Sequence, residues 1–160
     1  MGRDKAILPI HGIPMALRIA GILKEGGCDE IHLVGRQQAL AKLGLPVIVD
    51  NSAQSHPLIG VASALEQISG EVLLIAPCDL IHIERPHVEK LVRFGRPCVA
   101  ISDGQLHPLF AVIPTHWAQK AYDLAQSGAP AMALTGSLPK IELPTGALFD
   151  ANTPADLPRS

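Results

Sequence analysis

Aromatic and charged residues are scarce in this chain. Phe, Trp and Tyr make up 3% of its 160 residues, charged residues make up 18%, and the net charge is −2. A chain so close to neutrality offers no basic surface for binding nucleic acid. Hydrophobic residues reach 48%, which excludes a disordered or fibrous protein. With few aromatics, the core must be built from Leu, Ile, Val and Ala, a composition typical of a parallel sheet covered by helices on both faces.

Cysteine is also rare, and its spacing excludes two common uses. Cys28, Cys78 and Cys98 are far apart and odd in number, which favours reduced, mostly buried thiols over a disulfide framework. Without CxxC or HExxH pairs, no zinc site is predicted. No apolar run reaches membrane-spanning length, and residues 3–5 (RDK) precede no cleavage signal. We therefore expect an unexported, soluble, cytoplasmic protein with one domain over residues 1–160.

The hydrophobic pattern alternates between helical and extended segments. Apolar spacing predicts helices over Pro14 to Glu25, Ile59 to Ile68, Pro86 to Phe94 and Pro114 to Gln126. The run VLLIA (72–76) predicts an interior parallel strand covered on both faces. Shorter strands are expected at residues 30–34, 46–49, 97–101 and 108–113. This order predicts a three-layer α/β/α sandwich of the Rossmann-like type with a mostly parallel sheet.

Ligands in such sheets bind beyond the carboxyl ends of the strands, which directs attention to Asp79. Pro77-Cys78-Asp79 follows VLLIA directly, and a carboxylate at the end of a buried strand needs a compensating partner. A magnesium ion shared with substrate phosphates is one such partner. A cap for a turn or a short helix is the alternative.

Two further segments carry groups suited to phosphate or metal. Gly2-Arg3-Asp4-Lys5 combines a glycine with cations and could hold phosphates, although a charged chain end is the plainer interpretation and no Walker-type loop is present. Asp150 and Asn152 lie two residues apart, so in an extended segment they share one face. They could bind a cation or a ribose, or form an Asx turn before Pro154.

Two further loops are expected at the edge of the sheet where the strands have their carboxyl ends. Residues 55–61 (SHPLIGV) run from a loop into a helix whose first N–H groups favour anions, although most such junctions bind nothing. Residues 103–108 (DGQLHP) predict a hairpin turn.

Five motifs, in this order along the chain, resemble one family. Residues 2–18 resemble the segment RMGxDKAxLxxxGxPxxxR, and residues 56–65 (HPLIGVASAL) resemble GPLxGIxSAL. Pro77-Cys78-Asp79 is similar to PCDxP, His107-Pro108-Leu109 to HPL, and residues 149–157 (FDANTPADL) to FxNxNTPEDL. These segments are those of the molybdenum cofactor guanylyltransferases, and the resemblance covers nearly the entire chain.

The resemblance implies an activity and a set of site residues. Members of this family transfer GMP from GTP to the phosphate of molybdopterin, release pyrophosphate and require Mg²⁺. The implied catalytic residues are Lys5, which would hold the nucleotide phosphates, and Asp79, which would hold the metal. The implied nucleotide-binding residues are Gly2, Lys5, Pro57, Leu58 and Asp79. The implied substrate- and phosphate-binding residues are Arg18, His107, Asp150 and Asn152, with the pterin entering near residues 103–108.

The sequence departs from the family pattern at its start and near its end. The family begins with a strand followed by LAGGxSxRMG, whereas this sequence begins at the Met of that motif. The resemblance thus implies a sheet whose first strand is missing and, without the glycines, weak nucleotide binding. Asp150 stands where the family has Asn. The resemblance also implies molybdoenzymes or cofactor-pathway proteins as partners. Two other hypotheses stay open: an inactive remnant that acts as a binding or partner subunit, and a related cytidylyltransferase or sugar nucleotidyltransferase.

Overall fold

The computed structural model describes residues 5–35, 38–49 and 56–149. The longer helices are α1 (Met15–Glu25), α3 (Pro57–Gln67), α4 (Arg85–Arg93) and α5 (Ala118–Gln126), and the short ones are α2 (Gln38–Ala41) and α6 (Met132–Thr135). The strands are β1 (Pro9–Ile10), β2 (Ile13–Pro14), β3 (Leu33–Gly35), β4 (Val47–Val49), β5 (Val72–Ile75), β6 (Cys98–Ser102), β7 (Gln105–Pro114) and β8 (Lys140–Glu142). Two 3₁₀ turns, Lys5–Ile7 and Thr115–Trp117, precede β1 and α5.

The main sheet has four strands in the order β5-β7-β6-β8. β7 is antiparallel to both β5 and β6, and β6 is parallel to β8. Strands β5, β6 and β8 therefore run in one direction, and β7 runs against them. β3 and β4 form a separate parallel pair, and β1 and β2 form a small hairpin before α1.

Helices cover the main sheet on both faces. One core joins Ile19 of α1 and Leu91 of α4 to the sheet, with Leu74 of β5 packed against it. The other joins Val61 of α3 and Ala121 of α5 to the opposite face. Leu73 and Ile75 pack against this second core, as the alternation of side chains along a strand requires. The α/β layer architecture expected from the sequence is confirmed.

The position of β5 within the sheet differs from the expectation. The run VLLIA was expected to be interior with parallel neighbours, but β5 is the last strand of the four-stranded order, and its neighbour there is antiparallel. The tight hairpin at residues 102–105 reverses the chain and pairs β7 with β6, and the other edge of β7 pairs with β5. Apolar composition correctly indicated packing against both faces of β5, but the strand is only half-buried and Val72 is 48% exposed. Composition also carries no information on the direction of a partner strand.

The ends of the helices follow local sequence signals. α1 (Met15–Glu25) begins one residue after its expected start at Pro14 and ends at Glu25, before Gly26, as expected, and α3 begins at Pro57, two residues before the expected start. The His56 side chain accepts a hydrogen bond from the Leu58 N–H at 3.2 Å and so caps α3. No helix in the described residues has the length and apolar character needed to span a membrane.

A cavity of about 960 Å³ lies between β3 and β5. Its lining includes residues from both strands, together with Ala16 and Ala20 of α1 and Gly60 and Ala64 of α3. Among the described residues, β3 pairs only with β4 and β5 only with β7. The cavity therefore occupies the sheet layer, between two helices and beside two unpaired strand edges.

Candidate functional site

The candidate site is built around Asp79, which follows the carboxyl end of β5. Strand β5 ends at Ile75, and residues 76–79 carry the chain out of the sheet. The carboxylate Oδ2 of Asp79 lies 3.2 Å from the Nζ of Lys5. The two side chains are 23% and 31% exposed. The structure thus brings together the two residues that the sequence analysis had assigned to catalysis.

Helix α1 is the common support of both residues. Lys5 is followed by the β1–β2 hairpin, and the Met15 N–H at the start of α1 donates to the Leu8 carbonyl at 2.9 Å. Met15, Ile10 and Ile81 form a small core of their own. Because Ile81 lies two residues after Asp79, this core links the hairpin, the helix and the loop after β5.

Arg18 fastens the same loop to α1. Its Nη1 donates to the Leu80 carbonyl at 3.3 Å, and its Nη2 donates to the Ile83 carbonyl at 3.0 Å. Burial lowers the pKa of the Arg18 guanidinium, and the nearby Glu84 raises it again in part. These contacts differ from the predicted role: the Arg18 side chain bonds to backbone carbonyls, and its binding of a substrate phosphate stays a prediction.

The chain preceding Asp150 is attached to the residues that follow Asp79. The Ile81 N–H donates to the Phe149 carbonyl at 3.2 Å. The rings of His82 and Phe149 stack with their centroids 5.4 Å apart, and Nδ1 of His82 lies 3.2 Å from the Gly146 carbonyl. Asp150 and Asn152, like Gly2, lie outside the described residues, so their predicted roles are not tested.

The start of α3 only partly matches its predicted role. Pro57 is exposed, and it lines the cavity between β3 and β5. Leu58 was predicted to border the nucleotide, but the whole residue is 0% exposed and its side chain packs in the core. Leu58 therefore presents no open surface in this structure, and its contact with a nucleotide stays a prediction.

His107 lies on β7, opposite Ala100 of β6, beyond the hairpin turn that contains Asp103. The Gly146 N–H donates to the Asp103 carboxylate at 2.8 Å. This hydrogen bond lowers the pKa of Asp103; partial desolvation opposes it, and the Ser102 hydroxyl and His107 add smaller lowering effects. The predicted hairpin is confirmed, while entry of a pterin at this turn stays a prediction.

The three cysteines are free thiols, as expected. Cys98 is buried, but Cys28 and Cys78 are only half-buried. Burial raises the pKa of the Cys28 and Cys98 thiols. The expectation of mostly buried thiols is therefore right only for Cys98.

Asp79 is suited to a metal shared with a ligand. Within the described residues, no group of three or more His, Cys, Asp and Glu side chains could hold a metal ion by itself. Mg²⁺ is commonly held by one or two carboxylates, with substrate phosphates and waters completing its shell. The Asp79 carboxylate is 23% exposed and lies beside the Lys5 ammonium. It fits a site in which one carboxylate binds Mg²⁺ and substrate phosphates and waters supply the other oxygens.

Three residues near the site were not selected from the sequence: His56, His82 and Phe149. His56 could have been found from its position before Pro57, since an Ncap residue commonly precedes a proline in the first turn. His82 and Phe149 are 67 positions apart in the sequence, and no local pattern predicts their stacking.

Two solved structures share the fold of this chain. Molybdopterin-guanine dinucleotide biosynthesis protein A from Archaeoglobus fulgidus is 18% identical, with a TM-score of 0.73 over 98% of this chain and 88% of that one. 2-C-methyl-D-erythritol 4-phosphate cytidylyltransferase from Thermus thermophilus is 15% identical, with a TM-score of 0.66 over 96% and 90% of the two chains. At these identities the likeness defines the fold, an α/β domain of the nucleotidyltransferase type.

Sequence comparison defines the family. Residues 1–140 match the model of the MobA-like NTP transferase domain, and the chain belongs to this family. The molybdenum cofactor guanylyltransferase of Pseudomonas aeruginosa is 31% identical over 126 residues, which are 74% of this chain and 64% of the relative. The chain thus spans somewhat less than two thirds of that curated relative.

Proposed function

We propose that this chain is the greater part of a molybdenum cofactor guanylyltransferase. It would transfer GMP from GTP to the terminal phosphate of molybdopterin. A new bond forms between the α-phosphorus of GTP and an oxygen of the molybdopterin phosphate, while the bond to the β-phosphate breaks and pyrophosphate leaves. The observation that carries the proposal is the Lys5–Asp79 pair beyond the carboxyl end of β5, in a chain of the MobA-like NTP transferase family.

Catalysis of this kind depends on positioning and on neutralising negative charge. Lys5 would bind the nucleotide phosphates as a point charge on a flexible stem. Pro57 would border the nucleotide from the start of α3, and the buried Leu58 would hold that start in the core behind it. Gly2, Asp150 and Asn152 would contact the phosphates or the acceptor, and His107 would contact the acceptor from β7.

Asp79 would hold Mg²⁺. When bound, the ion would compensate the charge that develops on the leaving pyrophosphate. In the nucleotide-free protein the Lys5 ammonium compensates the Asp79 carboxylate. Lys5 would turn to the phosphates when the nucleotide arrives, so that neither side chain is left without a counter-charge.

The proposal is tested by assaying pyrophosphate release and dinucleotide formation. The purified chain is incubated with molybdopterin and Mg²⁺, and with GTP or CTP in separate reactions. We expect molybdopterin-dependent product with GTP and at least tenfold less with CTP. Faster reaction with CTP would support a cytidylyltransferase instead, and no product with either nucleotide would support the non-catalytic remnant.

A variant pair shows whether any activity belongs to this site. Asp123 on α5 is bonded by the exposed Gln119 side chain, so Asp123→Asn removes a carboxylate away from the site. Asp79→Asn should abolish most of the transfer, and Asp123→Asn should leave it unchanged. Equal activity of the two variants would remove Asp79 from the proposal.

A further inference from the structure

The loop after β5 is closed as a turn by one side chain from another element. The Leu80 carbonyl accepts hydrogen bonds from the Ile83 N–H at 3.4 Å and from Arg18 Nη1 at 3.3 Å. Arg18 Nη2 reaches the Ile83 carbonyl at the other end of the turn. One guanidinium therefore bridges both ends of a turn that begins directly after Asp79.

The two side chains at the ends of this turn are core residues. Leu80 is 1% exposed and Ile83 is 0% exposed, and both belong to the core shared with α1 and α4. Because both side chains are buried in this core, they hold the turn against the sheet and the two helices. The Ile83 carbonyl then requires a donor, and the Leu80 carbonyl can accept a second hydrogen bond beside that from the Ile83 N–H; Arg18 supplies both from α1.

An arginine suits this contact better than a lysine. The guanidinium is planar and presents several N–H groups on separate nitrogens in a fixed fork, whereas the three N–H groups of a lysine ammonium share one nitrogen. Two carbonyls three residues apart, each bonded to a different Nη atom, match the fork and not the ammonium.

Lys5 is tied to the same helix from the other side. The hairpin that follows Lys5 is joined to α1 through Met15 and Leu8. Helix α1 therefore supports the Lys5 ammonium through the hairpin and the Asp79 carboxylate through Arg18. These two groups lie 3.2 Å apart, and both connections run through the same helix.

We infer that Arg18 is a positioning residue that aims the Asp79 carboxylate through the carbonyls of Leu80 and Ile83, and that it is not a phosphate ligand. This inference rests on the proposed role of Asp79 and adds the residue that makes that role possible. Residues that orient a metal-binding side chain typically change metal affinity tenfold to a hundredfold when they are removed.

The test compares Arg18→Met, Arg18→Lys and the parent by calorimetric titration of GTP at several Mg²⁺ concentrations. We expect Arg18→Met to raise the half-saturating Mg²⁺ concentration by about tenfold while leaving metal-free GTP binding unchanged. Arg18→Lys should recover only part of the loss. Lys24→Met is the matched control, because Lys24 lies on the same helix and donates to the carbonyl of Asp29 at an exposed site; it should match the parent.

A double-mutant cycle with Asp79→Asn separates positioning from phosphate binding. If Arg18 acts through Asp79, Arg18→Met should change GTP affinity less than about twofold once Asp79 is Asn. An equal loss in both backgrounds, or weaker metal-free GTP binding, would make Arg18 a phosphate ligand and overturn the inference. So would a parent whose GTP affinity does not respond to Mg²⁺. Because this readout is nucleotide binding, an absence of transfer to molybdopterin would contradict the proposed function alone.

Discussion

Lys5 and Asp79 form an ion pair of 3.2 Å across 74 positions of sequence. Both side chains are partly exposed, so the pair contributes at most about 1 kcal/mol to stability. An interaction of this size does not explain by itself why the two residues meet. Their meeting follows from the supports around them, the hairpin before α1 and the turn after β5.

Asp79→Asn should lower guanylyl transfer by about a hundredfold, the scale of losing one transition-state contact. Asn keeps the size and one oxygen of Asp but removes the charge that Mg²⁺ requires. The melting temperature should fall by no more than about 4 °C, because only a partly exposed ion pair is lost. Transfer assays and thermal unfolding check both parts, and full activity or a much larger loss of stability would make Asp79 a structural residue.

Gly26→Ala should destabilise the protein by roughly 1–3 kcal/mol, the usual cost of overpacking. A Cβ at this position would overlap the buried side chain of Val88 on α4. Gly21→Ala is the control on the same helix, because a Cβ there meets nothing within 4 Å. That change should stabilise α1 by about 0.5–1 kcal/mol. Denaturant unfolding of the two variants should give shifts of opposite sign.

Asp103→Asn should destabilise the folded state at neutral pH, and the difference from the parent should disappear in acid. The Gly146 N–H holds the folded pKa of Asp103 below its unfolded value. The charged form therefore stabilises the fold above an unfolded pKa of about 3.9, and this contribution is lost as the pH falls through the folded pKa. Asn tolerates the positive φ of 54° at this position, so the change isolates the carboxylate. Melting temperatures of the variant and the parent are measured from pH 7 to pH 2, and a difference between them that stays constant with pH would contradict the prediction.

A strand supplied ahead of Met1 should close the cavity between β3 and β5. With strands about 4.8 Å apart, layers about 10 Å apart and 3.3 Å per residue, a volume of about 960 Å³ corresponds to roughly six residues. An extension of six alternating Val and Ile residues should slow amide exchange in Leu33–Gly35 and Val72–Ile75 by at least tenfold. The same extension with prolines at its third and fourth positions loses a ladder donor toward each of the two neighbouring strands and should give no protection. Equal protection by both extensions would show that the strand edges do not take up a partner.

Part of the site could be predicted because its signals are local. Pro14 and Gly26 bound α1, Pro57 bounds α3, and the apolar run before Pro77 indicates a strand that ends just before Asp79. The rule that ligands bind beyond the carboxyl ends of strands then identified Asp79. The resemblance added Lys5, which the residues alone had left as part of a charged chain end.

The rest was decided by contacts between distant segments. The sequence by itself determined the helices, most strand positions and the packing of β5 against helices on both faces, because periodicity and turn residues act over a few positions. Only the tertiary structure decided that β7 lies between β5 and β6, that Leu58 points into the core, and that Arg18 bonds to carbonyls 62 and 65 positions away. The physical reason is that strand order and the partner of a long polar side chain depend on which surfaces meet after folding. A hydrophobic pattern specifies that a face is buried, but not what it is buried against.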